Sequence, residues 1–123
     1  MPRVVAVIGA SNDRRKFGNR AVRAFQAKGD TVVPINPHET HIEGLTTYKS
    51  VLDVPGTIDM ATVYVQPSIG VGVMDEIARK GIGEVWLNPG ADDDAVIARA
   101  RALNLRPIVA CSIVGIGRNP YDF

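Results

Sequence analysis

Apolar positions in this chain fall in short unbroken blocks separated by stretches of helical periodicity. The first block, the six residues from Arg3 to Ile8, is nearly all apolar and mostly β-branched, which predicts a strand buried on both faces. It stops at Gly9-Ala10-Ser11, where the backbone must turn. A helical pattern opens near Gly18, with Ala21, Val22, Ala24 and Phe25 on one face and Gly29 as its stop. The second block is Thr31-Val32-Val33-Pro34-Ile35, closed by Asn36-Pro37, and His38 to Gly44 reads as polar loop. Ser50 is placed to cap a short helical turn before Pro55-Gly56.

The third block runs from Ile58 to Val65 and ends at Gln66-Pro67. Its helix carries Ile69, Val73 and Ile77 at four-residue spacing and stops at Gly81. Glu84-Val85-Trp86-Leu87 forms the fourth strand, ending at Asn88-Pro89-Gly90. Asp92, Asp93 and Asp94 follow where a helix N-terminus wants negative charge, so they read as capping residues and not as a metal site. Val96, Ala100 and Leu103 give that helix its buried face. Arg106 to Ala110 is the fifth strand, and Cys111 to Phe123 a tail.

Strands alternating with helices predict an α/β, three-layer, Rossmann-like fold. The expected sheet has five mainly parallel strands in order 3-2-1-4-5 along the chain, with helices on both faces. Strand one is expected to be central because it is the most uniformly apolar. Residues 1–123 read as one domain, and an apolar content of 46% supplies a real core.

Composition narrows the function classes. No stretch approaches the roughly 20 apolar residues of a membrane span, and Met1-Pro2-Arg3 runs straight into the first strand, so a cytoplasmic protein is expected. The single Cys111 makes no internal disulfide, and burial suits it better than a role in a crevice. A net charge of +1 and 6% aromatic residues argue against a nucleic-acid surface. The positive charge is local: Arg14, Arg15, Lys16, Arg20 and Arg23 follow the glycine turn. Arg20 and Arg23 suit a solvated helix face as well as a ligand, whereas Arg14 to Lys16 stand beside the turn and favour a ligand role. His38 and His41 read as surface residues.

Strand, glycine turn and helix aim backbone N–H groups and a helix dipole at an anion. Strands two, three and four end in Asn36-Pro37, Gln66-Pro67 and Asn88-Pro89. Each Asn-Pro or Gln-Pro alone is ordinary turn chemistry. Three at one sheet edge point to a shared crevice, because open α/β sheets bind ligands at the carboxyl ends of their strands. A full G-x-G-x-x-G fingerprint is missing, since no glycine follows Gly9 until Gly18. The end of strand two offers no acidic residue before Glu39 for a ribose diol, which counts against NAD. NADP stays open on charge, although no arginine stands at the end of strand two. No G-x-x-x-x-G-K-S/T motif of a P-loop hydrolase is present.

Four segments together resemble the CoA-binding domain family, the small relatives of the N-terminal domain of the succinyl-CoA synthetase α subunit. They are Val7-Ile8-Gly9-Ala10-Ser11, Lys16-Phe17-Gly18-Asn19, Val33-Pro34-Ile35-Asn36-Pro37, and the run from Gly44 to Pro55, which is similar to a G-x-x-x-Y-x-S-L-x-D-I/V-P connection. Val85-Trp86-Leu87 is similar to that family's fourth strand. The resemblance implies CoA lying across the carboxyl edge of the sheet. Gly9, Ala10, Ser11, Lys16, Phe17 and Gly18 would face the phosphates. Asn36 and Pro37 would flank the adenosine. Val65, Gln66 and Pro67 would line the crevice, with Ser68 and Ile69 opening the next helix, and Asn88 and Pro89 would approach the pantetheine arm. CoA suits the basic loop, because its pyrophosphate and 3′-phosphate carry about four negative charges.

Two functions of different class follow. One is a module that binds CoA or acyl-CoA as a carrier or sensor, with no chemistry of its own. The other is a small NAD(P)-linked oxidoreductase, or an acyl-CoA enzyme completed by a partner subunit. In the large synthetases a second domain carries the phosphorylated histidine, and no base–nucleophile pair stands in the motifs here, which favours the binding module. Expected partners are the small molecule itself and a further copy of the chain or an enzyme subunit, with neither nucleic acid nor membrane.

Overall fold

The computed structural model describes residues 2–123. Strand β1 (Val4–Ile8) is followed by helix α1 (Phe17–Lys28), strand β2 (Thr31–Ile35) and a small hairpin, β3 (His41–Ile42) and β4 (Leu45–Thr46). Then come strand β5 (Met60–Val63), helix α2 (Pro67–Lys80), strand β6 (Glu84–Leu87), helix α3 (Asp94–Ala102), strand β7 (Ile108–Val109) and helix α4 (Ser112–Gly115). Three-residue 3₁₀ turns stand at Val51–Asp53 and Pro120–Asp122.

The main sheet has five strands, all paired in parallel, in order β2-β1-β5-β6-β7. Helix α1 covers one face, where Val5, Val7, Val22, Phe25 and Met60 share one apolar cluster. Helices α2 and α3 cover the other, where Ala6, Ile8, Val63, Met74, Ile77 and Val96 share a second. The α/β three-layer class is therefore the one the apolar blocks predict.

Strand order differs from the expectation at one place. Numbered along the chain, the five strands run 2-1-3-4-5 and not 3-2-1-4-5, because β5 pairs with β1 from Val5↔Met60 to Ile8↔Val63. Strand one keeps neighbours on both sides, but the middle position belongs to β5. Two physical facts explain it. All four residues of β5 are buried, as a middle strand requires. Strand β2 contains Pro34, which has no N–H to give a full outer neighbour, so it suits an edge. Among the described residues its outer side pairs only with Tyr48, whose N–H donates to the Pro34 carbonyl at 3.1 Å and whose carbonyl accepts from Asn36 N at 2.9 Å.

Smaller departures share one cause, that short elements lack a period to read. Within the stretch read as polar loop, Glu43 and Gly44 form a turn with φ of 48° and 76° between β3 and β4, and Ile42 is fully buried. Strand β7 is only two residues long, and α4 lies in what read as tail. The acidic triplet caps as expected: Asp93 Oδ1 accepts from Val96 N at 2.9 Å.

Candidate functional site

At the carboxyl end of β1 the chain leaves the sheet through Gly9, held at φ +91°. A side chain there would be strained in that left-handed conformation, and its Cβ would meet the Tyr64 and Val65 backbone at 3.0 Å. Gly9 N donates to Ile35 O at 3.1 Å, and Asn36 Nδ2 donates to Ala10 O at 2.9 Å. The ends of β1 and β2 are thereby locked to each other. Asn36 Oδ1 also accepts from His38 N at 2.7 Å, which turns the chain out of β2.

The loop then runs to α1 and is pinned by buried Asn19. Its Nδ2 donates to Ser11 O at 2.8 Å and to Glu43 Oε2 at 3.1 Å, while its Oδ1 accepts from Arg23 Nε at 2.7 Å. Gly18 packs so closely under Gly9 that a Cβ would overlap the Gly9 carbonyl. This contact brings the start of α1 directly beneath the turn.

Helices α1 and α2 both begin at this edge without a side-chain cap and without an acidic residue in the first turn. Among the described residues, the amides of Ala10, Phe17 and Gly18 have no acceptor in the protein. Helix α3, in contrast, is capped by Asp93 and carries Asp94. Both helices thus present unneutralised N-terminal dipoles at one edge, and α1 with its preceding turn adds free N–H groups, the arrangement that receives an anion.

A cleft of about 640 Å³ opens there, within the range of small-molecule sites. It gathers Gly9, Ala10, Ser11, Lys16, Phe17 and Gly18 from the β1–α1 segment, Asn36 and Pro37 from the end of β2, and Val65 and Ile69 beyond β5. Phe17 and Ile69, in the first turns of α1 and α2, are 41% and 51% exposed, so each leaves apolar surface open at this edge. Gln66, Pro67 and Ser68 belong to the start of α2 but do not line the cleft.

Asn88 is not brought to the cleft either. It is 1% exposed, and its side chain is consumed below the surface. Its Nδ2 donates to Thr62 Oγ1 at 2.7 Å and Val63 O at 3.0 Å, and its Oδ1 accepts from Ser112 N at 2.8 Å. Pro89 lines the cleft in its place. Tyr64, also on the wall, hydrogen-bonds Ser112 Oγ at 3.2 Å, and burial pushes its phenol up to about 12. Cys111 is half-buried and does not line the cleft.

The basic cluster resolves into separate roles. Arg14 pairs with Glu43 at 3.0 Å, and Arg15 pairs with Asp13 at 3.1 Å. Arg23 donates to Arg14 O and to Phe123 O at 3.0 and 2.7 Å. Arg20 lies over the rings of Phe17 and Tyr121 at 5.1 and 5.5 Å. Only Lys16 of the five lines the cleft, and among the described residues no carboxylate pairs with it. Arginine side chains thus build the loop, and Lys16 is the cation of this loop that faces the cleft.

Sequence reading passed over several lining residues, including His38, Lys49, Val51, Val73 and Glu76. Lys49 and Val51 lie in the connection with a recognisable motif. Glu76 falls seven residues after Ile69, on the same α2 face, a periodicity that could have shown it. Ser11 Oγ accepts from Asp13 N at 3.0 Å, and among the described residues no imidazole or carboxylate bonds it as a base would.

A family model described as a CoA binding domain matches residues 3–116. The chain is 37% identical over 91 residues to the alpha subunit of an ADP-forming acetate–CoA ligase II from Pyrococcus furiosus, covering 72% of this chain and 20% of that one. It therefore spans about a fifth of that relative's length. Among solved structures, a conserved hypothetical protein from Pyrococcus furiosus superposes with a TM-score of 0.83 at 28% identity, covering 94% of this chain and 99% of its own. A dinucleotide-forming acetyl-coenzyme A synthetase from Ca. Korarchaeum cryptofilum superposes with a TM-score of 0.77 at 27% identity, over 89% of this chain and 26% of the synthetase chain. Among the described residues, no helix is long and apolar enough to cross a membrane.

Proposed function

The chain belongs to the CoA-binding domain family, and from that premise we propose that its cleft holds CoA or an acyl-CoA, as a binding module with no covalent step of its own. The observation that carries this reading is the uncapped N-terminus of α1, whose Phe17 and Gly18 line one cleft together with Lys16. A pyrophosphate at the Gly9–Gly18 turn finds free amides, the α1 dipole and a cation, each favouring negative charge. The exposed faces of Phe17 and Ile69 supply apolar cover for the rest of the ligand.

The absence of a base bonded to Ser11 supports binding over turnover. The alpha-subunit description of the Pyrococcus relative supports a role beside a partner subunit, in which this module presents CoA to an active site elsewhere. The test is direct. Protein purified from cells is examined by native mass spectrometry for a co-purifying CoA species, then incubated with acetyl-CoA while thioester is followed. The proposal expects a CoA adduct and no thioester loss above buffer. Steady hydrolysis, or an adduct of some other nucleotide alone, contradicts it.

A further inference from the structure

The cleft is chemically divided. Its positive end is the Gly9–Gly18 turn with Lys16. Another part of its lining is mostly aliphatic, with Lys49 as a second cation: Ile35, Val51 and Val73 are buried in one apolar cluster, and Val65 packs against it. Into this part α2 introduces a single carboxylate, Glu76, one turn beyond Val73. Glu76 is held in place, because Oε1 accepts the hydroxyl of Ser50 and Ser50 Oγ in turn accepts from Leu52 N at 3.1 Å. Among the described residues Oε2 has no donor. An acceptor-only group on an apolar wall repels phosphate and calls for an N–H donor.

Resting on the CoA reading above, we infer that Glu76 is a specificity-determining residue that accepts the exocyclic amine of the ligand's adenine. The aliphatic side chains of Ile35, Val51 and Val73 cover the flat base, and Glu76 reads its edge. The phosphates are kept at the opposite end by the same carboxylate. Hypoxanthine presents an oxygen where adenine presents an amine, so acceptor would face acceptor. That pairing selects against the wrong base as well as for the right one. Lys49, which also lines the cleft and is exposed, forms no ion pair with Glu76 and leaves the carboxylate free for this contact.

The experiment is isothermal titration of the wild-type chain and of Glu76→Gln with CoA and with its hypoxanthine analogue. Wild type is expected to bind CoA about 10- to 100-fold tighter than the analogue, the range for a hydrogen bond to a charged group. Glu76→Gln keeps an oxygen for Ser50 and offers an amide donor to the hypoxanthine oxygen, so its preference should fall at least tenfold or reverse. A thermal melt of the variant near that of wild type verifies that the fold survives, and Ser50→Ala, which frees the carboxylate to turn, should lower the preference without reversing it. If wild type binds both ligands equally, or Glu76→Gln keeps the wild-type preference, the inference about Glu76 is wrong while the CoA reading stands. If wild type binds neither ligand, the CoA reading itself fails.

Discussion

A Cβ on Gly18 would stand 3.1 Å from the carbonyl carbon of Gly9 and overlap its oxygen. The two glycines, nine positions apart, are thus one device: Gly9 turns the chain out of β1 and Gly18 lets α1 slide in beneath that turn. Replacing Gly18 with alanine forces backbone against backbone. We expect Gly18→Ala to lose roughly 1–3 kcal/mol of stability, as overpacking does, and to lose CoA binding by a larger factor than its melting shift explains. Urea unfolding beside titration separates the two effects.

Lys16 and Arg15 are adjacent, yet only Lys16 lines the cleft. Lys16→Ala should weaken CoA by about 1.5–3 kcal/mol, the range for a charge-assisted contact, and the loss should shrink as salt is raised. Arg15 spends its guanidinium on Asp13 with 89% of its side chain exposed, so Arg15→Ala should leave affinity within twofold. Titrations at two salt concentrations check both. An equal loss in the two variants would mean that the loop acts through its net charge and not through one contact.

Asn88 sits in the sequence where a ligand residue is expected, but in the structure it holds Thr62, Val63 and Ser112 together. Asn88→Ala leaves buried donors and acceptors unpaired and should cost about 1–3 kcal/mol of folding stability. CoA affinity of the folded variant should stay near that of wild type. A variant that melts like wild type but binds CoA poorly would return Asn88 to the site.

Glu43 ties the β3–β4 hairpin to the ligand loop. The Arg14 guanidinium first, and the Asn19 amide second, hold its carboxyl below the ordinary value of 4.5. A carboxyl depressed in the folded state stabilises the protein above its unfolded value, and that contribution is lost as pH falls through the folded one. The Glu43 contribution should therefore be full above pH 4.5 and decline below it. Asp13 and Asp75, paired with Arg15 and Arg99, add in the same direction but are solvent-screened. Chemical unfolding of wild type and Glu43→Gln from neutral pH down to about pH 3 should show a shallower decline in the variant. Identical slopes would remove Glu43 from the account.

How much of this was legible in the sequence depends on element length. β1, α1 and β2 follow from unbroken apolar blocks and a helical face, and the Gly9 turn follows from where the first block stops. The strand order required weighing Pro34, whose missing N–H marks β2 as an edge, against the apolar run of β5. The hairpin at Glu43-Gly44 escaped because two-residue strands have no period and glutamate is an unusual residue at positive φ. At the site, backbone-dictated residues such as Gly9, Gly18 and Asn36 were readable. The partners of the arginines were not, since Glu43 reaches Arg14 from 29 positions away through a hairpin that the pattern does not show.

The most direct test of the central claim is the ranking of ligands by calorimetric titration at one salt concentration, using CoA, dephospho-CoA and NAD. If the α1 N-terminus and Lys16 select for phosphate, CoA binds tightest. Dephospho-CoA follows, weaker by about 1.5–3 kcal/mol for one lost charged contact, and NAD binds least. NAD binding as tightly as CoA, or more tightly, would contradict the account and make the cleft a dinucleotide site.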